Sequence, residues 1–265
     1  MMKQTKELLA QARKIVIKIG TSTLANEDGS VNVDFLDNLA ASIATLHESG
    51  KQVVLVSSGA RIAGVARLGK WARKSDTNYK QALCAIGQVE LMASYSKIFK
   101  EHHLTVGQIL VTKKDLTEKE RELNIRNTLF TLTDEGVVPI VNENDTVSVE
   151  EIKVGDNDTL SAHMSVLWNA DALILLSDID GLYDKNPKEH ADAALIATVD
   201  PSARALQNIS IGDAGGFGTG GIATKISAAK IATSYGIPVV LTNGSTPDVL
   251  LQLKDGAVPS TLFEA

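Results

Sequence analysis

Apolar segments alternate with helix-like segments along the chain, and this alternation is the strongest constraint on its fold. Nearly uninterrupted apolar runs lie at 15–19, 53–56, 106–111, 137–141, 172–176 and 238–241. Helix-like stretches lie at about 36–50, 78–101, 118–135, 159–168 and 223–234. Strands that are apolar on both faces are typical of a parallel sheet covered by helices on each side. The sequence therefore predicts an α/β fold, a three-layer α/β/α sandwich with a mainly parallel central sheet.

Small polar residues follow four of the predicted strands. They are Gly20-Thr21-Ser22, Ser57-Ser58-Gly59, residues 142–145 (NEND) and Ser177-Asp178. In open parallel sheets, ligands bind at the carboxyl ends of the strands. The four clusters together predict one ligand site along that edge of the sheet.

Two glycine-containing segments, more than 200 residues apart, each carry a lysine. Lys18 lies in the first strand, just before the Gly20 turn, and Lys225 ends the stretch 215–225 (GGFGTGGIATK), which opens a helix. Glycine-rich backbone and helix starts present N–H groups that suit oxyanions. Two lysines on opposite sides of a transferring phosphoryl group would neutralise charge at the attacking and leaving ends. The pattern predicts a phosphotransferase.

The glycines allow other interpretations. An ordinary P-loop is excluded, because no Gly-Lys pair in the chain is followed by Ser or Thr. A G-x-G-x-x-G pattern occurs at Gly216, Gly218 and Gly221, but no strong apolar strand runs directly into it. The next strand ends at 242–243 (TN), where a dinucleotide-binding protein should carry an acidic residue. A dehydrogenase and a flexible surface loop remain the alternatives for this segment.

Two acidic, amide-rich turns lie at 142–145 (NEND) and 155–158 (GDND). As a pair they predict a binding site for the ammonium group of an amino-acid substrate. Each turn alone could also be purely structural, because Asn and Asp favour turns. A calcium loop is excluded, because the glutamate of the EF-hand spacing is missing after Asp156. Asp178 is either a turn-forming residue or a carboxylate that orients the lysines or reaches magnesium.

Composition argues against several other classes of protein. The net charge of −6 over 265 residues argues against nucleic-acid binding as the main function. No apolar run approaches the roughly 20 residues of a membrane span, and lysines interrupt any signal peptide. The single cysteine, Cys84, is expected to be buried rather than nucleophilic, and the histidines form no metal-binding pattern. We expect a cytoplasmic protein.

Taken together, the motifs resemble the amino-acid kinase family and, within it, the glutamate 5-kinases. The matching stretches are 16–22 (VIKIGTS), 56–60 (VSSGA), 141–145 (VNEND), 152–158 (IKVGDND), 177–178 (SD) with 181–183 (GLY), and 218–225 (GTGGIATK). The resemblance implies the amino-acid kinase fold and ATP-dependent phosphorylation of the γ-carboxylate of L-glutamate, the first step towards proline. Acetylglutamate or aspartate kinase activity, or a non-catalytic amino-acid sensor, are the alternatives.

The resemblance also implies roles for individual residues. The predicted catalytic residues are Lys18, Lys225 and Asp178. The predicted glutamate-binding residues are Ser58, Asp145, Asn157 and Lys153. The predicted ATP-binding residues are Lys18, Ser177, Asp178, Thr219, Gly220, Gly221, Ile222, Ala223, Thr224 and Lys225. No metal ligand is predicted in the chain itself.

Cofactor, assembly and domain organisation follow from the same resemblance. It implies Mg²⁺ with ATP, a homodimer or homotetramer, inhibition by proline, and hand-over of the acyl phosphate product to the next enzyme. Residues 1–265 are predicted to form one domain, with a glutamate-binding lobe at about 1–170 and a nucleotide-binding lobe at about 171–265. Many members carry a further C-terminal RNA-binding-like domain, which we expect this chain to lack because it stops soon after 261–263 (TLF).

Overall fold

The computed structural model describes residues 2–148, 157–185, 187, 189–200 and 221–265. The strands are β1 Lys14–Ile19, β2 Gln52–Ser57, β3 Thr105–Val111, β4 Val137–Glu143, β5 Ala172–Ser177, β6 Leu182–Tyr183, β7 Leu195–Ile196, β8 Thr198–Val199, β9 Val239–Asn243 and β10 Ser260–Phe263. The helices are α1 Met2–Gln11, α2 Thr21–Leu24, α3 Val33–Glu48, α4 Ala60–Leu68, α5 Thr77–Glu101, α6 Lys119–Asp134, α7 Asn157–Trp168, α8 Gly221–Ser234 and α9 Val249–Asp255. A short 3₁₀ helix lies at Lys113–Leu116.

Within these residues, eight strands form one sheet in the order β3-β4-β2-β1-β5-β9-β10-β8. The strands from β3 to β9 in this order are all parallel, whereas β10 runs antiparallel to β9. Strands β6 and β7 form a separate small ribbon. The predicted parallel sheet is confirmed, and the polar ends of β4, β2, β1 and β5 lie side by side along one edge.

Helices cover both faces of the sheet, because the central strands alternate apolar side chains between two cores. Ile15, Ile17 and Ile19 of β1 point into one core, which α1, α3, α5 and α9 complete. Val16 points into the other core, which α6, α7 and α8 complete. Full burial of one such side chain stabilises the fold by about 1.5–3 kcal/mol. The predicted three-layer sandwich is confirmed.

The sequence predicted the main helices and strands within a few residues but missed several short elements. Helix α4 was missed because it is short and contains Gly64, which lowers helix propensity. Helix α9 and strand β10 were missed because each is too brief for a clear periodic signal. Pairing of β1 with β5 makes the sheet continuous from residues before 170 to residues after it. The division into two lobes stays a prediction.

Helices α4 and α5 cross at a pair of glycines. A Cβ atom on Gly87 of α5 would overlap the carbonyl oxygen of Ala60, the first residue of α4. A Cβ atom on Gly64 would overlap the carbonyl oxygen of Leu83 in the same way. The crossing therefore fixes the start of α4. This helix follows the Ser57-Ser58-Gly59 turn at the carboxyl end of β2. Gly59 itself has a φ of 91°, a left-handed conformation that favours glycine.

We expect Gly87→Ala to destabilise the protein by about 1–3 kcal/mol, because the helices must separate to admit the methyl group. At this chain length, each kcal/mol corresponds to a fall in Tm of roughly 2–4 °C. Thermal unfolding followed by circular dichroism measures the change. Val89→Ala is the matched control on the same helix, since Val89 is 68% exposed. Equal Tm values for the two variants would contradict the close crossing.

Candidate active site

Lys18 is a lysine in the middle of the sheet. It lies on β1 between Val56 of β2 and Leu175 of β5, and only 7% of it is exposed. The alternation of β1 directs it to the same face as Val16, where α7 and α8 pack. Its Nζ lies 2.6 Å from Oδ1 of Asp158, the second residue of α7.

Lys225 reaches the same carboxylate from α8. Its Nζ lies 3.2 Å from Oδ2 of Asp158 and donates to the carbonyl of Gly221 at 3.0 Å. The hydroxyl of Thr224 also donates to Oδ2 of Asp158, at 2.7 Å. The two lysines, distant in sequence, therefore meet at one carboxylate that receives one ammonium group on each oxygen.

Asp158 is ionised in this environment. Burial by itself would raise the pKa of Asp158, but the ammonium groups of Lys18 and Lys225 outweigh burial and hold that pKa below its ordinary value. Counted over these three side chains, the cluster carries one net positive charge. A buried cluster with surplus positive charge is suited to hold an anion such as a polyphosphate.

Next to Asp158, the side chain of Asn157 joins two strand ends on the other side of the site. Its amide nitrogen donates to the carbonyl of Ser57 at 2.7 Å, to Oγ of Ser58 at 3.0 Å and to Oδ1 of Asn142 at 3.0 Å. Asn142 in turn donates to Gln88 of α5 at 2.8 Å. This network fixes Ser58 and Asn157 relative to each other and to the sheet edge.

The oxygen of the Asn157 amide is buried and accepts no hydrogen bond from the described residues. A buried acceptor without a donor costs about 1–3 kcal/mol. A ligand that carries an N–H group would supply the donor. This end of α7 therefore offers an acceptor to a polar ligand.

Asp145 lies in the turn that follows β4, beside Cys84 of α5. Burial, the charge of Asp145 and a hydrogen bond to it raise the pKa of the Cys84 thiol to about 12. Cys84 is 5% exposed, so the prediction that it is buried rather than nucleophilic is confirmed. Asp145 remains partly exposed and keeps a carboxylate at the ligand edge.

The end of β5 carries Ser177 and Asp178. Ser177 is buried and donates from Oγ to Oδ1 of Asp178 at 3.0 Å, whereas Asp178 is exposed. Within the described ranges, no ion pair joins Asp178 to Lys18 or Lys225. Among the described residues, the carboxylate that contacts both lysines is Asp158. The role of Asp178 stays a prediction.

A family model described as "Amino acid kinase family" matches residues 13–243, which include all strands from β1 to β9. The chain belongs to the amino acid kinase family. Both lysines, Asp158 and the polar strand ends lie inside the matched region.

Relatives in this family align with nearly the whole chain. A glutamate 5-kinase of Alkaliphilus metalliredigens is 58% identical over 259 residues, 98% of this chain and 98% of that protein. One of Clostridium tetani is 47% identical over 260 residues, 98% of this chain and 97% of that protein. One of Methanococcoides burtonii is 43% identical over 264 residues, 99% of this chain but 70% of that protein. The resemblance to glutamate 5-kinases is confirmed.

Solved structures of more distant proteins share the fold. UMP kinase of Ureaplasma parvum superimposes with a TM-score of 0.66 at 15% identity and covers 96% of this chain and 100% of that chain. An isopentenyl phosphate kinase gives a TM-score of 0.64 at 18% identity and covers 94% of this chain and 99% of that chain. These likenesses support the amino acid kinase fold and carry no further argument about substrate.

The structure brings several predicted site residues together. Lys18, Lys225 and Thr224 surround Asp158, and Gly221 accepts from Lys225 through its backbone. Ile222 and Ala223 are exposed on the first turn of α8. Lys153, Thr219 and Gly220 lie outside the described residues. The roles assigned to all these residues stay predictions.

Asp158 is the site residue that sequence reasoning missed. The turn at 155–158 was singled out, but only Asn157 was assigned a role. A signal was available: two cations that converge require a nearby carboxylate, and Asp158 directly follows Asn157 in the same motif. Sequence spacing does not tell which of Asp158 and Asp178 faces the lysines.

Other features of the described residues limit what the site contains. No group of three His, Cys, Asp or Glu side chains among them forms a metal site. None of the helices in the described ranges is both long and apolar enough to cross a bilayer. A cavity of about 350 Å³ opens between α2, α3 and the start of α9, but it is not lined by Lys18, Asp158 or Lys225. The ion-paired cluster lies apart from this cavity.

We expect Asp158→Asn to destabilise the protein by about 3–5 kcal/mol at neutral pH, because two buried ammonium groups lose their counter-ion. Added tripolyphosphate should raise the Tm of the variant more than that of the wild type, since the anion replaces the missing charge. Asp178→Asn is the control, because that carboxylate is exposed.

The stability difference between wild type and Asp158→Asn should depend on pH in one direction. Because the folded pKa is lowered, the contribution of Asp158 is complete above the ordinary carboxyl pKa of about 3.9. It is lost as the pH falls through the lowered value. Urea unfolding between about pH 7 and pH 3 measures this loss. A difference that grows on acidification would contradict the ion-paired cluster.

Proposed function

We propose that the chain transfers the γ-phosphoryl group of ATP to the γ-carboxylate of L-glutamate and forms L-glutamyl 5-phosphate, the first step of proline biosynthesis. One observation carries the proposal for the chemistry: Lys18 and Lys225 meet at the single carboxylate of Asp158. The glutamate 5-kinases that match nearly the whole chain carry the proposal for the substrate.

The nucleophile needs no general base. A glutamate side chain has a pKa of about 4.3 and is ionised at neutral pH. The obstacle is instead the repulsion between this carboxylate and the phosphate chain. Positive charge and alignment remove that obstacle, which is how phosphoryl transfer is generally catalysed. The net positive charge of the cluster of Lys18, Lys225 and Asp158 supplies the positive charge.

Asp158 has a separate task in this mechanism. It holds Lys18 and Lys225 near each other, although their ammonium groups repel, before the nucleotide binds. When the triphosphate enters, each ammonium group can turn towards phosphate oxygens while Asp158 keeps their spacing. The cations are then already in place, so little reorganisation is needed in the transition state.

Ser58, Asn157 and Asp145 are proposed to hold glutamate. The buried oxygen of Asn157 and the carboxylate of Asp145 are acceptors that suit the α-ammonium group. The Gly59 cap and the first turn of α4 present backbone N–H groups without a side-chain cap, which suits a carboxylate. Lys153 is proposed near the same substrate on family resemblance alone.

Mg²⁺ is proposed to enter with ATP. The donor set fits this arrangement, because Mg²⁺ usually keeps several waters and binds phosphate oxygens with only one or two carboxylates. Asp178, exposed at the end of β5, is the carboxylate that would hold it, with Ser177 fixing its orientation. When bound, the ion neutralises charge on the phosphate oxygens. Thr219, Gly220, Ile222 and Ala223 are proposed to surround the nucleotide.

Further proposals rest on family resemblance. We propose a cytoplasmic enzyme that forms a dimer or tetramer, is inhibited by proline and passes its acyl phosphate to the next enzyme of the pathway.

Three other functions compete with the proposed one. Acetylglutamate or aspartate kinase activity would use the same lysines, so only substrate tests separate them from glutamate kinase activity. A non-catalytic sensor would not need buried lysines aligned on a carboxylate, so the cluster argues against it. Family membership argues against a dehydrogenase.

Incubation with ATP, Mg²⁺, L-glutamate and hydroxylamine should yield a hydroxamate, because the acyl phosphate product reacts with hydroxylamine. Parallel reactions with L-aspartate and N-acetylglutamate are the controls and should give little or no product. Preference for either control substrate would replace the substrate assignment. No hydroxamate from any of the three would support a sensor.

Variants at the two ends of the site should separate chemistry from substrate binding. We expect Lys225→Ala to lower kcat by a hundredfold or more, roughly the effect of removing one transition-state charge contact, with the KM for glutamate little changed. We expect Asp145→Ala mainly to raise the KM for glutamate. Steady-state kinetics with each substrate varied in turn makes the comparison. A change in the KM for ATP alone in Asp145→Ala would contradict its assignment.

A further inference from the structure

We propose that Lys14 is a positioning residue for phosphoryl transfer: it anchors the C-terminal end of α7 so that Asp158, at the other end, lies in register with Lys18. The proposal rests on the proposed function, because it concerns the same reaction. It adds a residue that does not touch the substrates.

Lys14 binds the last turn of α7 directly. Its Nζ donates to the carbonyl of Trp168, the final residue of α7, at 2.9 Å. The same ammonium group lies 4.2 Å from the ring centroid of Phe130 on α6 and 5.1 Å from that of Trp168. A cation against two aromatic faces and a helix C-terminal carbonyl is held by three favourable interactions.

Lys14 and Lys18 bracket the helix from one strand. They stand four positions apart on β1 and so lie on the same face, separated by roughly 13 Å at the usual rise of a strand. Asp158 and Trp168 are separated by roughly 15 Å at the usual rise of a helix. Because the spans are similar, two lysines of a single strand reach both ends of the helix that carries Asp158.

The chain that follows α7 is fixed to the start of β1 as well. Oδ2 of Asp171 accepts from the backbone N–H groups of Arg13 and Lys14, each at 2.8 Å. The N–H group of Asp171 donates to the carbonyl of Lys14, also at 2.8 Å. Lys14 is thus held at its backbone while its side chain holds the helix end, which makes the anchor stiff.

A shift of α7 along its axis would move Asp158 and Asn157 together. Misplacement by about 1 Å of groups that align reacting atoms can lower a rate by roughly a hundredfold. Loss of the Lys14 anchor should therefore reduce turnover even though Lys14 lies at the opposite edge of the sheet from the reaction.

Lys51 offers a matched comparison. Lys51 is buried and directly precedes β2. Its Nζ donates to the carbonyls of Leu9 (2.9 Å) and Ala10 (3.1 Å) in the last turn of α1, and to that of Ala12 just beyond the helix (2.5 Å). Residue 52 pairs with Lys14 across β1 and β2, so the two lysines are near neighbours. Helix α1 carries no proposed site residue. Lys14 and Lys51 thus each bind carbonyl groups at the C-terminal end of a helix. Of these two helices, α7 carries proposed site residues and α1 does not.

The test compares Lys14→Met with Lys51→Met by hydroxamate kinetics, well below the Tm of each. We expect both variants to lose thermal stability. Lys14→Met, unlike Lys51→Met, should lose kcat by roughly ten- to a hundredfold, with the KM for ATP within about twofold of wild type. Lys14→Arg, which keeps the charge and the donors, should recover most of the loss.

The outcomes separate the possible failures. Equal kcat values for Lys14→Met and Lys51→Met would overturn the proposal and leave Lys14 a purely structural residue. Absence of hydroxamate from the wild type would overturn the proposed function instead. Should Lys14→Met fail to fold, Lys14→Gln against Lys51→Gln carries the comparison, because the amide keeps a hydrogen-bond donor but loses the charge and the reach of the ammonium group. In that pair, unchanged kcat in both variants would overturn the proposal.

Discussion

One carboxylate shared by two ammonium groups is the interaction on which the site depends. Asp158 from α7 receives Lys18 from β1 and Lys225 from α8, so three elements distant in sequence converge on one point. Burying two lysines without this partner would cost several kcal/mol for each charge. The carboxylate offsets the cost of burying the two ammonium groups. The net positive charge that remains on the cluster suits the binding of phosphate.

The architecture of β1 explains how the lysines are tolerated. Three isoleucines of β1 fill one core, whereas Lys14 and Lys18 share the opposite face with Val16. Each lysine ends at α7, one at its last carbonyl and the other at its first turn. A strand buried on both faces thus contacts α7 at both of its ends.

Much of this organisation was readable from the sequence. Apolar runs predicted the strands, and the polar residues after them predicted the ligand edge, because parallel strands end together. The convergence of Lys18 and Lys225 followed from chemistry. The identity of their counter-ion did not, because sequence spacing gives neither the register of α7 against β1 nor the direction of a side chain. Helix α4 escaped notice because it is short and contains Gly64, which reads as a helix breaker but serves the close crossing with α5.

The reversal of β10 determines where the chain leaves the fold. Since β10 runs antiparallel to β9, its last residue, Phe263, lies at the edge where the parallel strands begin. The polar strand ends lie at the opposite edge. Directly after Phe263, Glu264 meets Gln4 of α1. Any sequence joined after this strand departs on the side remote from phosphoryl transfer. A module joined here would therefore lie away from the carboxyl ends of the parallel strands.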